Sequence, residues 1–245
     1  MKAVILAAGR GSRMKGLTEA QPKCLLQIDG KALLELQIES LLTAGIAQIG
    51  IVVGYKKELL SGRGLTEFHN ARWQETNMVS SLECADSWLS SGPCIVSYSD
   101  IFYQPSAVRN LINSAALLAV TYDKNWRQLW EKRFGDPLLD AETFKLNANS
   151  EVIEIGQKPS SVEEIQGQYM GLLRFTPESW AEVKRIRSHL SGQQCDSMHM
   201  TGTLQLVISA GNCAISAIEY CDQWGEVDCE NDLMFFRDLS SEHLK

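Results

Sequence analysis

Leu6-Ala7-Ala8-Gly9-Arg10-Gly11-Ser12-Arg13-Met14, followed after a short interval by Pro22-Lys23, is the stretch that decides the fold. The apolar run Ala3–Leu6 reads as a buried strand cut off by Gly9. That strand feeds a loop of small residues, so backbone N–H groups can approach a triphosphate closely. Arg13 and Lys23 then offer charge to phosphate oxygens. A dinucleotide-binding G-x-G-x-x-G is excluded, since its last glycine would fall on Met14. A P-loop is excluded as well, because no Gly-Lys-Ser/Thr ends the loop. A plain surface loop with two solvated basic residues does not account for strand, small-residue loop and Pro-Lys occurring together.

Outward from this loop, strands alternate with helices. Ala32–Leu42 has mostly helical apolar spacing, Ile49–Val53 is a second buried strand and Leu65–Phe68 a weaker third. Thr76 or Asn77 can cap a helix running to about Trp88. Cys94–Tyr98 and Leu117–Tyr122 are strands on either side of the helical Pro105–Asn113. This rhythm means βαβ units. Beyond Asp123 the elements shorten and look more antiparallel: Phe144–Leu146, Val152–Ile155, Tyr169–Phe175 and Ile215–Tyr220 among helices at 126–133, 177–189, 200–210 and 229–237. The expected fold is α/β. It is a Rossmann-like mixed, mostly parallel sheet flanked by helices, with a smaller antiparallel lobe on the substrate side. One domain over 1–245 is expected, in two halves, 1–122 and 123–245.

The 245 residues suit one large α/β unit, and 44% hydrophobic with 22% charged residues is ordinary for a globular chain. A net charge of −7 argues against a nonspecific nucleic-acid binder or a coat for anionic membranes, though not against a local basic site. The 7 cysteines form no C-x-x-C and no zinc spacing, which suggests a reducing, cytoplasmic setting. The opening apolar run is too short for a signal peptide or a membrane span.

The loop with Pro22-Lys23 resembles the nucleotidyltransferase signature of the nucleoside-diphosphate-sugar pyrophosphorylase superfamily. Within it, the chain is most similar to the phosphocholine and phosphonate cytidylyltransferases. The likeness runs through Gly54-Tyr55, Asn70–Trp73, Thr76–Leu82, Tyr98–Asp100, Gln168–Phe175 and Trp224–Asp228. Two departures weigh against a sugar phosphate. Thr76–Ser81 stands where sugar branches carry a proline-glycine-threonine-alanine loop, and Gln157 replaces the usual acid before Lys158-Pro159.

The resemblance implies a Mg²⁺-dependent transfer of CMP from CTP to a small phosphate or phosphonate such as phosphocholine or 2-aminoethylphosphonate, with release of pyrophosphate; 1–122 would then be the nucleotide-binding half and 123–245 the acceptor-binding and metal-completing half. CTP would lie over Leu6, Ala7, Ala8, Gly9, Arg10, Gly11 and Ser12, with Gly54 and Tyr55 nearby; Arg13 and Lys23 would act on the triphosphate. Asp100 ends a buried strand at the edge where such sheets bind ligands. The resemblance joins it to Asp228 as a Mg²⁺ ligand, and Glu226 would share the face of Asp228; the competing readings are a turn or helix cap for Asp100 and the N-cap of the last helix for Asp228. The cytosine would be read by Asn70, Trp73, Thr76, Asn77 and either Ser80 or Ser81; the competing reading is a capped helix with Trp73 as a staple. Lys158 would meet the acceptor phosphate, or be a surface lysine.

Trp126, Trp130, Tyr169 and Trp224 would face the acceptor, where aromatic faces attract a quaternary ammonium. Trp126 and Trp130 are also i, i+4 neighbours able to pack a helix on the core. Arg133 is a candidate for an acidic acceptor group. Asp136, Asp140 and Glu142 read as a solvated turn, with contact to a substrate amine as the alternative, and Asp232 as first-turn helix electrostatics. His69, His189, His199 and His243 show no metal spacing and read as structural or solvated. Two rival functions stand beside the cytidylyltransferase: a sugar-1-phosphate nucleotidyltransferase using another NTP, and a non-catalytic nucleotide-sensing subunit. The expected partners are CTP and the acceptor, without nucleic acid or membrane, and a homo-oligomer is left open.

Overall fold

The computed structural model describes residues 1–242. His243 lies outside the described residues. Strand β1, Lys2–Ala7, is buried on both faces. Val4 and Leu6 enter one apolar layer, while Ala3, Ile5 and Ala7 enter the other. Such two-sided burial is what a near-continuous apolar run in a parallel sheet requires. β1 pairs in parallel with β2, Gln48–Val53, on one side and β4, Cys94–Tyr98, on the other; β3, Thr66–His69, extends the sheet beyond β2. The chain thus leaves β1 in one direction and returns past it to β4. The reversal opens a crevice at the carboxyl ends of β1 and β4, where open α/β sheets bind ligands.

The second half enters the same sheet. With β5 (Leu118–Asp123), β6 (Gln168–Phe175) and β7 (Ile215–Tyr220), the order is β7-β5-β6-β4-β1-β2-β3. Only β6 runs antiparallel to its neighbours; β7 and β5 are parallel. The sequence pattern has the second half more antiparallel and added onto the first sheet. Its antiparallel strand β6 lies inside that sheet, between β4 and β5, because Met170–Phe175 is buried without interruption and needs cover on both faces. The antiparallel lobe reduces to short ribbons: Phe144–Leu146 with Val152–Ile155, and Ile101–Tyr103 with Trp224–Glu226.

The split helix after Asn77 borders the crevice, and helix α1, Leu33–Thr43, braces the turn after β4 through Gln37. Asn77 is the N-cap, its carboxamide oxygen accepting from Met78 N. The expected single helix to Trp88 breaks into α2, Met78–Glu83, and a short turn, Asp86–Leu89. The loop after β1 holds a fully buried Met14, which packs with Val227, Leu233 and Phe236. That contact ties the loop to α4, Glu230–Glu242, with α3, Trp126–Phe134, alongside. Among the described residues, no helix is long and apolar enough to cross a membrane.

Candidate active site

The acidic residues meet because a ribbon brings them together. Ile101 stands opposite Glu226, and Val227 N donates to the Asp100 carbonyl at 2.9 Å. Asp100 therefore sits across from the segment between Glu226 and Asp228. Gln37 of α1 donates to the carbonyls of Tyr98 and Ile101, fixing the turn that carries Asp100. Oxygens of Asp100, Glu226 and Asp228 lie within 4.8 Å of one another. Oδ1 of Asp100 is buried and has no hydrogen-bond partner among the described residues. Three carboxylates with an unfilled buried oxygen are a donor set suited to a hard divalent cation.

Two basic residues of the first loop close on this cluster. Lys23 Nζ lies 2.8 Å from Asp100 Oδ2 and 2.6 Å from Asp228 Oδ1, while Arg13 Nη1 lies 2.7 Å from Asp228 Oδ2. Burial alone would lower the Lys23 pKa, but Asp100 and Asp228 outweigh it and hold the ammonium protonated, above its ordinary range. Burial, followed by repulsion from Asp228 and Asp100, pushes the Glu226 carboxyl up to about 8. The Arg13 side chain is 69% exposed against 9% for Lys23, so Arg13 is the cation free to swing away.

Two cavities meet at these charges. The first, about 270 Å³, is bounded by Ala8, Gly9, Gly11 and Ser12 on one side and by Trp73, Thr76 and Ser81 on the other. Asn77, Asp100, Lys23 and Leu6 complete it. The second, about 220 Å³, is bounded by Asp140, Glu142, Tyr169, Thr201, Glu226 and Asp228. Arg13, Met78 and Tyr98 belong to both walls. The acidic cluster thus spans the partition, with Asp100 facing one cavity and Asp228 the other.

The structure separates the remaining candidates. Ser81 reaches the first cavity, and its hydroxyl accepts from Asn70 Nδ2, which also donates to Thr76 Oγ1. Ser80 faces away, between Arg187 and the Cys195 carbonyl. Ala7 is buried, and Arg10 lies 5.9 Å from the Tyr55 ring. Gly54 and Tyr55 support the loop from beneath. Tyr55 N donates to the Ala8 carbonyl, its hydroxyl to the carbonyls of Thr18 and Glu19, and a Cβ at Gly54 would meet Ala8 O and Trp73.

On the acceptor side, Tyr169 lines the second cavity. Trp126, Trp130 and Trp224 do not: all three are buried, with Trp130 stacked on Trp224 and Trp224 Nε1 bonded to Asp123. The i, i+4 pair on α3 therefore packs the core rather than offering indole faces to a ligand. Arg133 is also inside, paired with Asp232 at 2.9 Å between side chains 1% and 3% exposed. Lys158 is exposed and lines neither cavity. His199, read from the sequence as structural or solvated, lines the second cavity with Nδ1 3.1 Å from Asn77 Nδ2. No local pattern marked it; the signal was its position just before the helix Met200–Ala210 that walls the site.

Gly11 has φ +70°, and a Cβ there would stand 3.0 Å from both Cβ and Cδ of Lys23. Its missing side chain is what lets Lys23 run back beneath the loop. Gly11→Ala is expected to destabilise the fold by about 1–2 kcal/mol, lowering Tm by roughly 2–8 °C, and to impair activity by displacing Lys23. Thermal unfolding with a parallel turnover assay checks this; an unchanged Tm would contradict it.

Residues 3–169 match the family model described as the MobA-like NTP transferase domain. The chain is similar to the CTP:phosphoglutamine cytidylyltransferase of Campylobacter jejuni, 38% identical over 95% of this chain and 98% of the relative. It is also similar to the 2-aminoethylphosphonate cytidylyltransferase of Lancefieldella rimae, 36% identical over 40% of this chain and 42% of the relative. Among solved structures, the inositol-1-phosphate CTP transferase from T. maritima shares the fold with a TM-score of 0.76 at 19% identity, covering 98% of this chain and 94% of that one.

Proposed function

Because the chain belongs to the MobA-like NTP transferase domain family, we propose that it transfers CMP from CTP to a small phosphate or phosphonate acceptor and releases pyrophosphate. The observation that carries this reading is the acidic cluster on the partition between two cavities, capped by Lys23 and Arg13. A nucleotide in the first cavity and an acceptor in the second would bring the α-phosphorus and the attacking oxygen to that partition. The acceptor oxygen forms the new P–O bond as the bond from the α-phosphorus to the leaving pyrophosphate breaks. That oxygen is already anionic, so no general base is needed, and positioning with charge neutralisation carries the catalysis.

Arg13 would leave Asp228 for the phosphate oxygens, while the buried Lys23 keeps its charge at the junction. Asp100 and Asp228, with Glu226 beside them, would hold Mg²⁺, which neutralises and orients the phosphates. Ser81, Thr76 and Asn77 offer hydroxyl and amide groups for the cytosine edge, in line with the cytidylyl specificity in the relatives' names. The shared seven-stranded sheet supports treating the chain as one folding unit. Seven free cysteines support a cytoplasmic setting.

The test is a panel of CTP, UTP, GTP and ATP against phosphonate, phosphoalkylamine and sugar-phosphate acceptors, read by pyrophosphate release. kcat/KM for CTP is expected to exceed that for each other nucleotide by about tenfold or more, roughly 1.4 kcal/mol of transition-state discrimination. A preference for another nucleotide, or CTP binding without turnover with any acceptor, overturns the reading.

A further inference from the structure

The second cavity holds two carboxylates that the proposed transfer does not use. Asp140 and Glu142 are two residues apart, and both are open to solvent within the cavity. Between and after them, Ala141 and Thr143 are buried at 5% and 2% exposure. Both acids line the same cavity, while the residues beside them turn inward. Burial by surrounding protein raises both carboxyl pKa values above the ordinary range, opposed at Asp140 chiefly by Arg133 and at Glu142 by the Thr201 hydroxyl and then His199. Glu226 and Asp228 add further negative charge to the same wall, against the single guanidinium of Arg13, which is paired with Asp228. A cation bound among these acids would relieve that cost.

The aromatic supply here is small. With Trp126, Trp130 and Trp224 in the core, Tyr98 and Tyr169 are the aromatic residues on this wall, edge to face at 5.9 Å. A quaternary ammonium has no N–H and is best held by broad aromatic faces. A primary ammonium carries three donors, which two carboxylates can accept as charge-assisted hydrogen bonds.

We infer that Asp140 and Glu142 select acceptors whose end remote from the phosphoryl or phosphonyl group is a primary ammonium, against otherwise equal acceptors with a quaternary one. The inference rests on the cytidylyltransferase reading above and gives that site its substrate class. His199 stands on the same wall. The Asn77 carboxamide oxygen is committed to Met78 N, so its NH₂ faces His199 Nδ1 and leaves the ring's other nitrogen as the N–H donor. That arrangement adds a donor to the wall, suited to an oxygen that both kinds of acceptor carry, so it does not itself discriminate between them.

Phosphoethanolamine and phosphocholine differ only in methylation at nitrogen, which makes them the probe pair. With CTP saturating and Mg²⁺ present, kcat/KM for phosphoethanolamine is expected to exceed that for phosphocholine by about tenfold or more. Asp140→Asn and Glu142→Gln should each shrink that ratio several-fold, through the acceptor KM, with the KM for CTP unchanged. Both substitutions keep the side-chain shape, and circular dichroism confirms that the variants fold. Equal or better use of phosphocholine, or a ratio untouched in both variants, overturns the inference. So does turnover of sugar or inositol phosphates while neither probe reacts, an outcome that leaves the cytidylyltransferase reading standing. If CTP yields no pyrophosphate with any acceptor, that reading fails instead. Calorimetric binding of the two probes to the wild type and variants then decides the amine preference alone: tighter phosphoethanolamine binding lost in the variants supports it, and equal binding overturns it.

Discussion

Asp228→Asn is expected to reduce kcat/KM for pyrophosphate release by about a hundredfold or more, roughly 2.7 kcal/mol of transition-state stabilisation. Asp100→Asn should do the same, and the double variant should be scarcely worse than either alone. The argument is geometric. Both acids bind the one Lys23 ammonium, at 2.8 and 2.6 Å, and both offer an oxygen to the same three-carboxylate cluster. A group that serves as a unit is lost when any member is lost, so the penalties do not add. Asparagine keeps the shape but removes the charge a hard divalent cation needs. EDTA should abolish wild-type turnover, and excess Mg²⁺ should restore it. Losses that multiply independently, or turnover that survives EDTA, would show that the two aspartates do not share one ion.

A second large effect is expected in stability rather than turnover. Asp232→Ala should destabilise the fold by about 3–5 kcal/mol, because removing one member of a buried ion pair strands the other charge. Arg133 is the charge left behind. Its two terminal nitrogens have no hydrogen-bond partner among the described residues, and its guanidinium lies 4.6 Å from the Trp130 ring and 4.7 Å from that of Phe134. Asp232 also accepts from the backbone N–H of Asp228 and of Cys229, each at 2.9 Å, and so closes the first turn of α4. Its loss should loosen the Asp228 backbone and raise the Mg²⁺ concentration needed for half-maximal turnover, while lowering Tm. Burial works against the Asp232 charge, but Arg133 prevails and holds the carboxyl below its usual range. The pair's contribution is therefore complete above about pH 4 and is lost as pH falls further. Differential scanning calorimetry of the variant at neutral pH tests this, and a loss below about 1 kcal/mol would refute it.

Legibility in the sequence followed the range of the interactions. The loop from Leu6 to Lys23 was readable because its chemistry is local: small residues for close approach, then Arg13 and Lys23 at set positions. The Asn77 cap was readable for the same reason, being a side chain bonded to the next residue's backbone. The tryptophans of α3 were harder. An i, i+4 aromatic pair fits a core and a binding face equally well, and only the stack of Trp130 on Trp224, 94 residues on, shows which it serves. Arg133 looked available to a ligand because its partner Asp232 is remote in sequence and was visible only as helix electrostatics. Ser80 and Ser81 could not be separated until the rotation of α2 was known. The ribbon joining Ile101–Tyr103 to Trp224–Glu226 had no local sign at all, yet its register is what assembles the acids.

The central position of β6 has a consequence for how the chain is made. During synthesis, residues 1–123 leave the ribosome with β4 as an open border and with β5 lacking both of the neighbours it will finally have, since β6 and β7 are encoded later. Until residue 175 has emerged, two apolar strands, Cys94–Tyr98 and Leu118–Asp123, present unpaired backbone edges. Such edges recruit other chains, and pairings that must wait for distant sequence slow the route to the native sheet. A ribosome that stalls between these points exposes an aggregation-prone intermediate, and a fragment ending near residue 123 is not a smaller version of the enzyme but five strands of an unfinished seven-stranded sheet.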